Sequence, residues 1–269
     1  MYDTKNRLVS YTDPEGRTET YTYDCNSNLT KTVDKNGNTL KNTYDNKNRL
    51  TERTAKEKKT GKETVHTYRY NAYGDVAVQD DTQFVYGDVS GQVIKETTKL
   101  TKNKDVVKNY TYDSNGNKST FSVKAGEDTK LSLSYEYDGS SRLISVKDSE
   151  GNRAVSYAYD TEGSLSERQA ANGLKTTYGY DYQNRLTSMT NETGKGVVSK
   201  YSSTYLKNGQ KAEEVSTVMD KKGKSTKKTA AYTYDMLGRI TRETKTGRED
   251  ISYTYDANNN RKQMTIGNK

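Results

Sequence analysis

The chain has 269 residues, room for one large domain or two ordinary ones, yet only 29% are hydrophobic and the mean hydropathy is −1.16. Leu, Ile, Val and Phe together number 37, too few for a close-packed aliphatic globule. The 44 basic and 36 acidic residues leave only +8, and 24 tyrosines with a single proline, Pro14, argue against disorder, so any core must be built from tyrosine.

Read from the N-terminus, one short unit keeps returning. Tyr2-Asp3 opens a turn that reaches Asn6 before Arg7-Leu8 starts a returning strand. The unit recurs as Tyr21/Tyr23-Asp24 with Ser27, and as Tyr44-Asp45 with Asn48, Arg49 and Leu50. Degenerate copies follow at Tyr68/Tyr70 and Phe84/Tyr86, where Asn71 and Gly87 replace the aspartate. Tyr110/Tyr112-Asp113, Tyr135/Tyr137-Asp138, Tyr157/Tyr159-Asp160 with Gly163, and Tyr178/Tyr180-Asp181 with Asn184 come next. Tyr205, followed by Leu206, then Tyr232/Tyr234-Asp235 with Gly238 and Tyr253/Tyr255-Asp256 complete twelve copies. Successive anchor tyrosines stand 21, 21, 26, 16, 26, 25, 22, 21, 25, 29 and 21 residues apart. The recurring interval is 21, and insertions fall between motifs.

Each part of the unit has a physical reading. Tyr-x-Tyr places two rings on one face of a strand, because side chains alternate with period two. The aspartate opens a turn by accepting backbone N–H groups. Four residues after the anchor stands Gly, Asn or Ser, types that tolerate positive φ. Midway between motifs lies a second turn, for which Asn36-Gly37, Asn172-Gly173 and Asn208-Gly209 are hairpin dipeptides; Asn115-Gly116 falls in a motif turn. Each 21-residue period therefore predicts two strands of six or seven residues and two tight turns. No long 3.6-period apolar run leaves room for a helix. The returning strands do not keep one alternation, which predicts bulges there, and the rings are expected to stack on one another.

The unit Tyr-x-Tyr-Asp-x-x-Gly-Arg-Leu, with a second glycine midway through a period near 21, resembles the YD repeat, also called the Rhs repeat. That family includes secreted bacterial polymorphic toxins, wall-associated proteins, toxin-complex subunits and teneurins. The resemblance covers residues 2–262 and implies an all-β fold: antiparallel hairpin repeats forming a coiled, spiralling strip, part of a hollow shell. It also implies a non-catalytic role in a secreted or cell-wall-associated protein, where the shell encloses or presents a C-terminal toxin domain. Residues 1–269 read as one array of about twelve repeats taken from a longer protein, with no separate domain. Twelve two-stranded repeats at about 4.8 Å per strand give a strip about 115 Å long, enough for a wall segment but not a container. The partners implied are neighbouring repeats and a toxin domain. The basic stretches, Lys56 to Lys59 and Lys221 to Lys228, raise the alternative of an adhesion module gripping an anionic cell-wall polymer.

Other chemistry is less well supplied. Cys25 and His66 are the sole residues of their types, which excludes an internal disulfide and a Cys/His zinc site. His66 lies in a strand-like run and reads as a β-surface residue, not a catalytic base. Asp24-x-Asn26-x-Asn28 and Asp113-x-Asn115-x-Asn117 have the spacing of half a calcium loop, but Leu29 and Lys118 stand where that loop needs glycine. Asp13-Pro14-Glu15-Gly16 resembles the self-cleavage core of toxin-bearing relatives, yet its position fits an ordinary midway turn. The expectation is no cofactor, no metal, no nucleic acid and no membrane insertion; no stretch approaches the ~20 apolar residues of a spanning helix.

Overall fold

The computed structural model describes every residue except 89, 101–103, 221 and 268–269. Lys221 of the second basic stretch lies outside the described residues. The chain divides into two compact units, Met1–Ser132 and Leu133–Lys269. Both are all-β, and among the described residues there are 23 strands and no helix.

In the first unit the strands are β1 (Ser10–Thr12), β2 (Thr18–Tyr23), β3 (Leu29–Val33), β4 (Thr39–Tyr44), β5 (Leu50–Lys56), β6 (Glu63–Tyr70), β7 (Val76–Gln79), β8 (Thr82–Tyr86), β9 (Val93–Lys99), β10 (Asp105–Tyr112) and β11 (Lys118–Ala125). β12 (Asp128–Tyr137) runs across the division. The second unit continues with β13 (Leu143–Lys147), β14 (Arg153–Tyr159), β15 (Leu165–Ala170), β16 (Lys175–Tyr180), β17 (Leu186–Thr193) and β18 (Gly196–Tyr205). It ends with β19 (Lys211–Met219), β20 (Ser225–Tyr234), β21 (Ile240–Lys245), β22 (Ile251–Tyr255) and β23 (Arg261–Ile266). Within each unit the strands pair antiparallel with their neighbours in sequence, as in Ser10↔Thr20, Tyr21↔Thr32 and Tyr157↔Arg168. In such a meander successive turns alternate between the two edges. The motif turns therefore occupy one edge of each unit's sheet and the midway turns the other.

The predicted bulges are present, and they are regular. In each motif hairpin the register slips immediately before the anchor tyrosine: Thr22/Tyr23, Thr43/Tyr44, Thr111/Tyr112, Ala158/Tyr159, Gly179/Tyr180 and Thr254/Tyr255 among them. Such a slip increases the local twist of the strand pair. The tyrosine face follows the expected alternation: in β2 the threonines are exposed while Glu19, Tyr21 and Tyr23 are half-buried.

Two expectations need correction. The Asn-Gly dipeptides do not form two-residue primed turns, which need positive φ at both central residues. At Asn36-Gly37 only the glycine is left-handed (φ 79°), Gly37 N–H bonds Asp34 O at 2.8 Å, and Asp34 N–H bonds Asn38 O at 2.9 Å. This is a four-residue turn closed by a left-handed fourth residue, and Asp13-Pro14-Glu15-Gly16 adopts the same bonds. Asn208-Gly209 belongs to the motif turn after Tyr205, not to a midway turn. Nor do the tyrosines form a stacked core. Among the described residues Val146 is the one buried apolar side chain, and the other most occluded residues are Asn42, Ser145, Thr176 and Ser199.

Candidate functional site: the tyrosine–arginine ladder

The motif turn is built by its aspartate. Asp3 Oδ1 accepts the backbone N–H groups of Lys5 and Arg7, both at 2.9 Å, while Asn6 N–H bonds Asp3 O at 3.0 Å. Asp45, Asp138, Asp181 and Asp235 repeat this pattern with the residues two and four places on. The fourth residue after the anchor is left-handed, as at Asn48 (φ 61°), Asn184 (φ 60°), Gly163 (φ 89°) and Gly238 (φ 80°), except after Tyr86, where the fifth, Gly91 (φ 62°), takes that place. A side chain that satisfies two N–H groups explains why aspartate, rather than glutamate, opens the turn: the shorter stem keeps the carboxylate over its own loop.

The aspartate's second oxygen holds the arginine that follows. Arg7, Arg142, Arg185 and Arg239 donate Nε–H to the Oδ2 of Asp3, Asp138, Asp181 and Asp235 at 2.7 Å, and Arg49 does so to Asp45 at 2.8 Å. These bonds hold the carboxylates ionised. For Asp3, Asp45, Asp138 and Asp235 the backbone N–H of that arginine is the leading cause of a pKa below the ordinary range; for Asp181 it is the guanidinium itself. Where asparagine replaces arginine, Asn28 and Asn117 make the equivalent bond to Asp24 and Asp113 at 2.9 and 3.0 Å. The carboxylates of the two calcium-like loops are thus engaged by their own turns.

Each held arginine lies over the anchor ring of the next repeat. The guanidinium carbon stands 4.7 Å from the Tyr23 centroid for Arg7, 4.4 Å from Tyr70 for Arg49, and 4.6 Å from Tyr159 for Arg142. For Arg185 over Tyr205 and Arg239 over Tyr255 the distances are 4.7 and 4.5 Å. All lie within cation–π range. The same ring reaches back with its hydroxyl. Tyr23, Tyr44, Tyr159, Tyr180 and Tyr255 donate to the backbone carbonyls of Leu8, Leu29, Leu143, Leu165 and Ile240 at 2.8–2.9 Å, each six residues past the preceding anchor. Tyr70, Tyr86, Tyr112, Tyr205 and Tyr234 make the same type of bond to Leu50, Val76, Val93, Leu186 and Lys211. One ring thus carries two links to the repeat before it: an arginine over its face and a carbonyl at its tip.

The first tyrosine of each pair does not share this role. Tyr110 bonds Glu96 Oε1 at 2.7 Å and stacks on Phe121 with centroids 5.2 Å apart, the one ring stack among the described residues. Tyr21, Tyr135, Tyr157, Tyr178, Tyr232 and Tyr253 lie half-buried on the same face as their anchors, and Phe84 replaces tyrosine at this place. In the third copy it is Asn42, whose amide joins Tyr44 on the Leu29 carbonyl at 2.9 Å. Tyrosine stands in every copy only at the position whose hydroxyl bonds a backbone carbonyl of the preceding repeat.

His66, in β6, places Nδ1 2.9 Å from Asp80 Oδ2, and Asp80 Oδ1 also accepts Thr67 N–H at 2.7 Å. Cys25 is exposed in a motif turn.

An antiparallel meander tied repeat to repeat by Asp–Arg–Tyr links has the architecture of YD repeats. The chain belongs to that family: its residues 95–265 match the teneurin YD-shell model, and residues 2–39 match the RHS repeat model. No curated protein matches it. Among solved structures, the TcdB2-TccC3 complex aligns at a TM-score of 0.76 with 14% identity, over 98% of this chain and 16% of that one. TcdB2-TccC3-TEV aligns at 0.66 with 12% identity, over 98% of this chain and 17% of that one. The chain thus spans about a sixth of the structures whose fold it shares.

Proposed function

We propose that the repeats form one array, a non-catalytic wall segment of a β-shell in an extracellular, secreted or wall-associated protein, where the shell encloses or presents a toxin domain. The carrying observation is the ladder: every link runs from one repeat to the next, so the structure is extendable at both ends without a central core. No motif aspartate stands apart from the others, because each builds its own turn through Oδ1. The partners of the segment are further repeats of the same kind and the enclosed domain. The test is cryo-electron microscopy and limited proteolysis of a natural chain containing these repeats. A closed wall with the cargo resistant to protease until the wall is opened is expected. Repeats standing as an open arm beside accessible cargo would refute the reading.

A further inference from the structure

Intervals longer than 21 residues lengthen hairpins on the midway-turn edge, and a long hairpin beside a short one leaves a step. The longest interval, 29 residues between Tyr205 and Tyr234, gives β19 and β20 nine and ten residues, whereas β21 and β22 in the next interval have six and five. β20 therefore runs past β21, whose turn at Thr246-Gly247 packs on its flank through Thr246 N–H to Thr229 O at 2.9 Å. A cavity of about 290 Å³ occupies the step, at the lower end of small-molecule sites.

Its lining is cationic. Ala230 forms a shallow floor opposite Lys245, and Lys228, opposite Ser216, is the next residue of β20 on that face. Diagonal neighbours of this kind lie about 7–8 Å apart. Arg248 closes the rim from the turn. Neither Lys228 nor Arg248 has an ion-pair partner among the described residues. Of the carboxylates facing the step, Glu214 is held by Lys211 at 2.6 Å, and Glu243 pairs with Lys245 of the lining. The Ser216 hydroxyl carries no hydrogen bond among the described residues, whereas Thr246 Oγ1 accepts Thr229 N–H at 2.9 Å. The comparable steps in the first unit differ: one is lined by Asp34 and Glu57 as well as Lys56 and Lys62, and another sets Asp81, Asp105 and Glu127 beside Lys99.

We propose that the step between β20 and the β21–β22 turn binds a phosphate ester carried on a sugar or polyol. Lys228 and Arg248 hold the oxyanion beside the Lys245–Glu243 pair, and Ser216 meets its hydroxylated carrier. Two unpaired cations and a free hydroxyl around one small cavity match a compact oxyanion on a hydrogen-bonding body better than an extended apolar ligand. This goes beyond the shell reading and does not depend on it, since wall assembly uses the opposite edge.

The test uses the full chain, ¹⁵N-labelled, titrated with glycerol 1-phosphate and separately with poly(glycerol phosphate), with glycerol as the neutral control. Saturable amide shifts at Thr229, Lys245, Thr246 and Arg248 are expected, absent with glycerol. K228A/R248A should weaken binding at least tenfold. A230M, which fills the floor without altering charge, should do the same, and circular dichroism of both variants checks the fold. K47A/K207A removes the same charge from exposed motif-turn lysines and should bind as wild type. A response to the monomer identifies a free ester as sufficient, and a response to the polymer alone identifies a phosphodiester chain; both support the site. Equal weakening in K47A/K207A, undiminished binding by A230M, or no localised shift with either probe would overturn it.

Discussion

The sharpest consequence of the ladder is that the two tyrosines of one pair should respond differently to loss of a hydroxyl. Tyr159 donates to Leu143 O at 2.8 Å, and the Tyr157 hydroxyl has no hydrogen-bond partner among the described residues. Tyr159→Phe keeps the ring under Arg142 and deletes only the donor. A typical net hydrogen bond contributes about 0.5–1.5 kcal/mol, and an orphaned carbonyl adds a further penalty where water cannot replace the donor. This carbonyl is partly buried, so a cost of about 1–1.5 kcal/mol is expected. Tyr157→Phe should fall within about 0.5 kcal/mol of wild type. Urea unfolding followed by far-ultraviolet circular dichroism reads the global value. Hydrogen exchange of β13 to β15 amides reads the local one, which matters because repeat arrays can unfold in parts. Equal effects from the two substitutions, or a neutral Tyr159→Phe with unchanged exchange in β13, would refute the hydroxyl's role.

Arg142→Lys should cost about 1 kcal/mol, since an ammonium cannot both hold the Asp138 carboxylate and lie flat on Tyr159; a double-mutant cycle of Arg142→Ala with Tyr159→Leu should show coupling of about 0.5–1 kcal/mol. Stability should hold from neutral pH down to about 4 and then fall. The motif carboxylates have folded pKa values below their unfolded ones, so their contribution is present above the unfolded value and lost as pH drops through the folded one. At Asp13, burial raises the pKa, but the Arg17 N–H, the Arg17 guanidinium and Lys35 outweigh it and bring it to about 2, setting the lower end of the window. Urea midpoints measured from pH 6 to 2 check this, and a flat profile would count against it. Gly151→Ala and Gly163→Ala both force a Cβ onto positive φ (81° and 89°) and should each cost about 1 kcal/mol. Gly163→Ala should cost more in the same unfolding assay, because its Cβ would stand 3.2 Å from Arg142 Nη1 while that of Gly151 meets nothing within 4 Å.

Much of this architecture was legible because each repeat is a local structure. The aspartate, the left-handed fourth residue and the period-two rings act within seven residues, and twelve copies make the pattern unmistakable. What stayed hidden acts between repeats. Arg142 visibly follows Asp138 by four places, but nothing in the sequence says that its outer face meets Tyr159, seventeen residues on. The expectation of stacked rings failed for a geometric reason. Two rings at i and i+2 on one strand stand about 6.6 Å apart, and the anchor's outer face is taken by arginine instead. The Asn-Gly dipeptides misled because the turn places them third and fourth, so only glycine needs positive φ. One clue was available: the first aromatic varies among Tyr21, Asn42, Phe84 and Ser203, while the anchor is tyrosine in all twelve copies. A position that accepts phenylalanine, asparagine and serine does not depend on a tyrosine hydroxyl, and one that keeps tyrosine in every copy does.

The ladder also explains where such a chain can vary. The links fix the motif turn, the anchor and the carbonyl six residues past the preceding anchor, with one residue more between Tyr86 and Val93. Beyond that one residue, a longer insertion at the motif edge would break a link, so it lengthens a hairpin at the midway edge instead. The intervals of 16 to 29 residues all obey this, since Tyr86, Tyr112 and Tyr234 keep their carbonyl bonds despite unequal spacing. One edge is thereby held constant for assembly, and the other is free to acquire steps, cavities and charge. A ligand site in such a protein should be sought where two hairpins of unequal length stand side by side.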